Sequence, residues 1–218
     1  MLITNYYIYL YLLLAYLIGA ISTSIWIGKI FFKKDIRTIG SGNAGATNTF
    51  RAFGKIAGIF VLLIDIGKGT LAVLLPVILS HLTSTDLIPR IAFSDHYQLL
   101  LGLGAALGHI YPVYEKFKGG KGVATLFGVI LGIDPLIAGI CAATFIAVFI
   151  ITRKVSAGSL LASVAFAVAY IIIHNPWQFF DNLMALIYPM LVFYTHRANI
   201  KRLIKGEEPD FSFRKKQV

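Results

Sequence analysis

A single cysteine in 218 residues leaves no internal disulfide framework and no multi-thiolate metal site. Acids are scarce too: 10 Asp and Glu stand against 20 Lys and Arg, and charged residues make up only 14% of the chain. An ordinary soluble domain is roughly a quarter charged. With 57% hydrophobic residues and a mean hydropathy of +0.77, a soluble fold of this length cannot hide its apolar side chains. Its solvent is therefore lipid. A net charge of +10 on a soluble chain would point to nucleic acid. On a membrane chain it first reports sidedness, and no nucleic-acid partner is expected. Cys141 lies in an apolar run and reads as a small packing residue.

A spanning helix takes roughly 17–25 mostly apolar residues, at about 1.5 Å each across a core of about 30 Å. The stretches 7–30, 56–79 and 135–152 qualify plainly, and 156–173 and 177–195 qualify with polar residues near their ends. Two more, 97–110 and 123–133, are short and glycine-rich. The first run is too long, and lacks the basic start, for a cleavable signal peptide. The excess of basic residues in cytoplasmic loops decides the short pair. With seven crossings and the N-terminus outside, segments 31–55, 108–122, 153–155 and 196–218 are cytoplasmic and hold 17 of the 20 basic residues. Arg90 stays outside beside Asp86, Asp95, Asp134 and Asp181. A re-entrant reading of the short pair would strand Lys116, Lys118 and Lys121 in the bilayer. The expected architecture is an all-α polytopic integral membrane protein: seven transmembrane helices, five strong and two short, C-terminus cytoplasmic, one domain over 1–218. Tyrosines 6, 7, 9, 11 and 16 read as an interfacial aromatic belt.

Polar residues that the membrane does not require gather on the cytoplasmic side. In Ser-Gly-Asn-Ala-Gly-Ala-Thr-Asn-Thr-Phe-Arg (41–51), close glycines free backbone N–H groups for an anion nest. Ser41, Asn43, Thr47 and Asn48 add neutral donors around Gly45, and Arg51 supplies a guanidinium fork for phosphate. Ordinary turn formation competes with that reading. In the segment 108–125, Lys118-Gly119-Gly120-Lys121-Gly122 sets two cations on backbone that a ligand can approach, just before a helix N-terminus. His109 by itself suits a structural position at a helix end, and within this segment it joins the candidate binding residues. Ser156 and Ser159 share one helical face, and His196 and Asn199 share another where the last span meets water. Lys201, Arg202 and Lys205 read as topology anchors. Asp65 and Lys68, three apart inside the second span, read as a structural ion pair.

Taken together these segments resemble the bacterial PlsY-type acyl-phosphate:glycerol-3-phosphate acyltransferases. The likeness rests on Ser-Gly-Asn-x-Gly-Ala-Thr-Asn-x-x-Arg (41–51), Gly-His-x-x-Pro-Val-x-x-x-Phe-Lys-Gly-Gly-Lys-Gly-Val-Ala-Thr (108–125) and His-Arg-x-Asn-Ile-x-Arg-Leu (196–203). It extends to Asp65–Lys68 and the Val-Ser-x-x-Ser stretch at 155–159; Lys154 and Tyr114 depart from the usual aromatic and phenylalanine. The resemblance implies acyl transfer from acyl phosphate, and not acyl-CoA, to the sn-1 hydroxyl of glycerol 3-phosphate. That makes lysophosphatidic acid at the cytoplasmic face of the inner membrane, the first step of phospholipid synthesis. It implies a donor supplied by a soluble acyl-carrier-protein:phosphate acyltransferase, and no cofactor. It also makes Ser41 and Arg51 essential, ties Gly119, Gly120 and Gly122 to glycerol-3-phosphate binding, requires His196 and Asn199 for activity, and gives Glu208 a structural role.

The chemistry of the residues agrees with that expectation. Acyl phosphate is already activated, so the site needs no covalent nucleophile; it has to hold two anions together and stabilise an oxyanion. His81 and Asp86 have the His-x-x-x-x-Asp spacing of acyl-CoA-type acyltransferases, but they fall on the outer side, away from the other candidates, and read as coincidence. A small-anion or phosphate-ester transporter is the alternative. The sequence lacks the internal repeat and the mid-membrane polar groups in both halves that such a transporter shows. A structural lipid-binding protein, the third option, has no need of glycine-framed lysines. No metal cluster is expected.

Overall fold

The computed structural model describes residues 2–83, 95–174 and 179–211, and these are helical, with no strand among them. The helices are α1 (Leu2–Gly19), α2 (Thr23–Phe31), α3 (Ala46–Phe53), α4 (Lys55–Thr83), α5 (Asp95–Ile110), α6 (Val123–Ile133), α7 (Pro135–Thr152), α8 (Val155–His174), α9 (Phe179–Thr195) and α10 (Arg197–Ile204). Four segments are long and apolar enough to cross a membrane: Tyr7–Phe31, Lys55–His81, Pro135–Thr152 and Val155–His174. Asp86 and Arg90 lie outside the described residues, as do Lys215 and Lys216.

Local chemistry sets the helix ends. Asp134 caps α7, its Oδ1 accepting from the backbone N–H of Leu136 at 2.8 Å and Ile137 at 3.2 Å, and Pro135 starts the helix where no N–H is needed. Arg153, with φ of +54°, turns the chain out of α7 and into α8. The first apolar stretch, read from sequence as one span over 7–30, is two helices separated at residues 20–22. Nothing in the local composition forces that break. Its backbone is answered from another helix: Lys68 Nζ on α4 donates to the Ile21 carbonyl at 2.8 Å. The tyrosine belt is also corrected. Tyr9 is exposed, but Tyr11 is buried in the core and the Tyr16 hydroxyl donates to the Tyr111 carbonyl at 2.7 Å. The side chain of Tyr6 lies outside the described residues.

Helices α4, α5 and α6 form the centre. On one side α1 packs against α4 and α5; on the other α9 bears on α5, and α8 lies between α7 and α9. Glycine lets the central backbones meet. A β-carbon at Gly128 would lie 1.9 Å from the Ile66 carbonyl oxygen, and one at Gly69 would lie 2.0 Å from that of Thr125. The Thr70 hydroxyl donates to the Gly128 carbonyl at 2.7 Å across the same contact. Small residues at close helix crossings are how membrane helices gain packing when lipid is as apolar as their side chains.

A buried polar network lies beside that contact. Asp65 and Lys68, 2% and 5% exposed, pair at 2.8 Å. Thr23 Oγ1 donates to Asp65 Oδ1 at 3.0 Å, and His109 Nδ1 is 3.8 Å from the same oxygen and 3.1 Å from Thr125 Oγ1. These groups join α2, α4, α5 and α6 in one buried polar network. Lys68→Met therefore leaves the Asp65 carboxylate unpaired. Removing one partner of a buried ion pair costs about 3–5 kcal/mol. Thermal unfolding in detergent should show a sharp loss for Lys68→Met and partial recovery in the Asp65→Asn/Lys68→Met double variant.

Candidate active site

The loop before α3 is built around Asn48. This buried side chain receives the Ser41 N–H on Oδ1 at 3.0 Å and donates from Nδ2 to the carbonyls of Ile36 at 3.2 Å and Ile39 at 2.9 Å. Asn48 thus shapes the loop and has little capacity left for a ligand. Thr49 Oγ1 donates to the Gly45 carbonyl at 3.0 Å and ties the first turn of α3 to the same loop. Arg51 follows on α3, and the side chains of Ser41, Asn43, Thr47 and Arg51 form no hydrogen bond or ion pair among the described residues. All four line one cavity.

The glycines of 118–122 have a packing reason. The N–H groups of Gly119 and Gly120 donate to the carbonyls of Ile110 and His109, each at 3.1 Å, folding the loop back onto the end of α5. A β-carbon at Gly120 would lie 2.2 Å from His109 Nε2 and 2.4 Å from the Ala44 carbonyl oxygen. The first loop and the second therefore touch at this point, and only glycine fits there. Gly122, with φ of +82°, turns the chain into α6 and brings Lys121 to the cavity wall. Lys118, Gly119 and Gly120 do not line the cavity, and Lys118 is exposed. The two lysines bracketing the glycine pair thus part company, a difference of position that their symmetric spacing conceals.

Glu208 organises the third part. Its Oε1 accepts from Ser156 Oγ and Asn199 Nδ2, both at 2.6 Å, and its Oε2 accepts from Arg202 Nε at 2.7 Å. Burial opposes the charge, but the hydrogen bonds from Ser156, Asn199 and Arg202 prevail and hold the carboxyl below its ordinary range. With its amide N–H fixed on Glu208, Asn199 turns its carbonyl to accept from Lys121 Nζ. Ser159 Oγ is occupied by the Val155 carbonyl at 2.9 Å. Ser156 and Ser159 both line the cavity with their hydroxyls already donated. Arg202, read from sequence as a topology anchor, is a cavity residue. Its place three residues after Asn199 on the same helical face was the signal that could have found it.

His196 caps α10 and is buried. Its Nδ1 lies 2.8 Å from the Val192 carbonyl, which can only accept, so Nδ1 carries the proton and Nε2 offers a lone pair. Burial, reinforced by the Lys121 charge, pulls the imidazole down to about 4, so the ring is neutral at pH 7. Burial likewise lowers Lys121 to about 8, with Arg202 and Arg51 adding repulsion against the pull of Glu208. Arg51 is lowered by burial yet remains a cation. The mutual influence of Arg51, Lys121 and Arg202 brings charges from α3, the second loop and α10 into one site.

A clamp that the sequence did not reveal holds the two loops beside the site. Buried Glu115 accepts from Lys29 Nζ at 2.9 Å and from Trp26 Nε1 at 3.2 Å. Arg37 reaches Glu115 at 3.4 Å and pairs with Asp35 at 2.7 Å, and that hydrogen bond keeps the Asp35 carboxyl below the usual range. On the opposite side residues 207–211 close the cavity wall. The Phe211 N–H donates to the Arg153 carbonyl at 2.8 Å, Asp210 pairs with Lys154 at 3.1 Å, and the Phe211 ring sits edge-on between Phe50 and Phe149, 5.8 Å from each.

The cavity, about 1180 Å³, is polar at one end and apolar at the other. From the level of Arg51, Lys121, His196 and Glu208 it runs between α6, α7, α8 and α9 over small walls and aliphatic or aromatic ones. Among the described residues no cluster of His, Cys, Asp and Glu has the makings of a metal site. The fold and site define a helical membrane protein with a cation-lined mouth on a largely apolar cavity. The glycerol-3-phosphate acyltransferase family profile matches residues 9–206, and the chain belongs to that family. The chain is similar to the glycerol-3-phosphate acyltransferase of Macrococcus caseolyticus, 44% identical over 94% of this chain and 98% of the relative. That of Bacillus cytotoxicus is 44% identical over 96% and 98%. Among solved structures, PlsY, an integral membrane glycerol 3-phosphate acyltransferase, superposes in its glycerol 3-phosphate form with a TM-score of 0.82 and 34% identity, covering 94% of this chain and 96% of that one. Its lysophosphatidic acid form gives 0.79 and 33% over the same shares.

The glycine contact carries a direct test. Gly120→Ala must displace His109 or the first loop and should lower acyl transfer by about tenfold or more. Gly139→Ala, whose β-carbon meets nothing within 4 Å, should leave the rate unchanged.

Proposed function

We propose that this chain transfers a fatty acyl group from acyl phosphate to the sn-1 hydroxyl of glycerol 3-phosphate, releasing inorganic phosphate and lysophosphatidic acid. The observation that carries the reading is the continuity of a cation-bearing mouth with an apolar furrow in one cavity, which suits a phosphate joined to a long hydrocarbon. The glycerol 3-phosphate and lysophosphatidic acid forms of PlsY support the acceptor and the product. A transporter would need its polar groups at mid-membrane, whereas here they gather at one end of the cavity.

The residues divide the work by their uncommitted groups. Arg51 with Ser41, Asn43, Thr47 and the Gly45 loop holds one phosphate, and Lys121 with Arg202 holds the other. His196 Nε2 accepts from the attacking hydroxyl and orients it, while Asn199 and Glu208 fix Lys121. An imidazole lowered to about 4 is too weak a base to keep a proton at neutral pH. As the hydroxyl oxygen bonds to the carbonyl carbon, the carbon–oxygen bond to phosphate breaks. The hydroxyl proton leaves with the departing phosphate. Gly119, Gly120 and Gly122 shape the glycerol-3-phosphate side, His109 lines the cavity beside them, and exposed Lys118 adds positive charge to the same loop. No cofactor or metal takes part in this scheme.

The topology of the same reading has seven crossings, N-terminus outside, with the mouth facing the cytoplasm of the inner membrane and a single domain over 1–218. The location of 17 of the 20 basic residues on one side supports it. At eleven residues α6 is only about 17 Å long, short of a core of roughly 30 Å. In this topology α6 is a short crossing that begins at the cytoplasmic loop carrying Lys116, Lys118 and Lys121. The donor comes from a soluble acyl-carrier-protein:phosphate acyltransferase.

Purified protein given acyl phosphate and labelled glycerol 3-phosphate should form lysophosphatidic acid, and acyl-CoA should not replace the donor; no product from acyl phosphate refutes the reading. Arg51→Ala should reduce turnover by about 100-fold or more with the melting temperature unchanged. The Lys121 ammonium loses its proton as pH rises through about 8, so kcat/KM for glycerol 3-phosphate should decline above that pH. Lys121→Arg, which stays charged, should move that decline upward by about one pH unit or more.

A further inference from the structure

The apolar end of the cavity stops at a fixed floor. Following the walls away from the polar mouth, the last lining residue is Ile66 on α4, Ile130 on α6, Cys141 on α7, Phe166 on α8 and Tyr188 on α9. On α8 the cavity runs from Ser156 to Phe166, about 15 Å of helix rise. Above the floor the walls are carved by small side chains. Ala124, Ala142, Ser159, Ala162 and Ser163 line the furrow, and the Ser159 and Ser163 hydroxyls are turned onto their own helix, donating to the carbonyls of Val155 at 2.9 Å and Leu160 at 2.7 Å. What faces the furrow there is narrow and nearly apolar.

The floor itself is large and anchored. The Phe166 and Tyr188 rings pack with centroids 5.0 Å apart, and each is only 2% exposed. Phe166 is backed by Tyr170 at 5.7 Å. The Tyr188 hydroxyl reaches across to α5 and donates to the Leu99 carbonyl at 2.8 Å. It sits in a slot left by Gly102, where a β-carbon would lie 2.3 Å from that hydroxyl. A ring held by packing, by a slot and by a buried hydrogen bond cannot swing aside to admit more chain.

We infer that the Phe166–Tyr188 pair is the ruler that limits acyl-chain length, with Ala142 and Ala162 setting the furrow width above it. This deepens the acyl-transfer reading and rests on it. Below the limit each added methylene finds apolar wall and raises kcat/KM by up to about fourfold. Beyond it the chain must bend back or leave the furrow, and the gain stops.

The test compares kcat/KM for saturated acyl phosphates from roughly 12 to 20 carbons, read as ratios between chain lengths so that a general loss of activity cancels. Phe166→Ala opens the floor and should move the preferred length up by about two to four carbons, since apolar atoms of like volume refill the space of a deleted ring. Ala142→Phe fills the furrow from a partly exposed position and should move the preference down. Tyr188→Phe keeps the ring but frees it from Leu99, and should broaden the upper limit without a new optimum. Shifts of opposite sign in Phe166→Ala and Ala142→Phe establish the ruler. Unchanged ratios in the active variants overturn it while acyl transfer by the wild type stands. Should Phe166→Ala fail to fold, Ala142→Phe decides alone, because an unaltered preference there contradicts a chain lying in this furrow. No product from wild type at any chain length removes the donor reading and the ruler with it.

Discussion

A membrane interior offers no water to a stranded polar group, and that constraint orders this molecule. The buried carboxylates of Asp65 and Glu208 are each met by partners from other segments of the chain. Lys68 answers both Asp65 and the open backbone at Ile21, so the break between α1 and α2 exists only because α4 supplies a donor for it. Glu208 answers Ser156, Asn199 and Arg202 at once. Take away Asp65 and the Lys68 cation is left in low dielectric, where its desolvation is no longer offset; take away Glu208, and Asn199 and Ser156 lose the acceptor that fixes them. Both acids line the cavity, Asp65 where α2, α4, α5 and α6 meet and Glu208 at the strap after α10.

Function uses the same constraint in reverse. Among the described residues, Arg51 and the neutral side chains of Ser41, Asn43 and Thr47 form no hydrogen bond or ion pair, and they open onto one cavity. Their neighbours are fully engaged: Asn48 in the first loop, Ser156 and Asn199 on Glu208, Glu115 under Lys29 and Trp26. Lys121 and Arg202 stand between the two groups, each on the cavity wall and each tied to the Asn199–Glu208 network.

Much of this was legible in the sequence because it depends on local periodicity or on chain order. The apolar runs gave α6 and α7 to the residue and α8 nearly so, and the three loops with unexplained polar residues do converge. What was not legible depends on a partner distant in sequence. The break in the first apolar run is answered by a lysine 47 positions later. The exposed Lys118 and the inward Lys121 differ only through the backbone path fixed by Ile110 and His109. Tyr11 matches its belt neighbours in type but faces the core. Composition also cannot distinguish an asparagine that shapes a loop, Asn48, from one that turns a carbonyl toward a cation, Asn199.

The strap of residues 207–211 has a consequence in time. It follows every helix in chain order, yet it supplies Glu208 to the rim and Phe211 to the wall between Phe50 and Phe149. While the polypeptide is still leaving the ribosome, the earlier helices can enter the bilayer and pack, but the Lys121 side of the mouth has no fixed Asn199 and the wall stays open. Until Glu208 and Phe211 follow, Asn199 has no carboxylate to hold its amide and the wall between Phe50 and Phe149 has no ring to close it. A chain cut before residue 207 keeps its apolar helices but lacks both the carboxylate that fixes the rim and the ring that closes the wall.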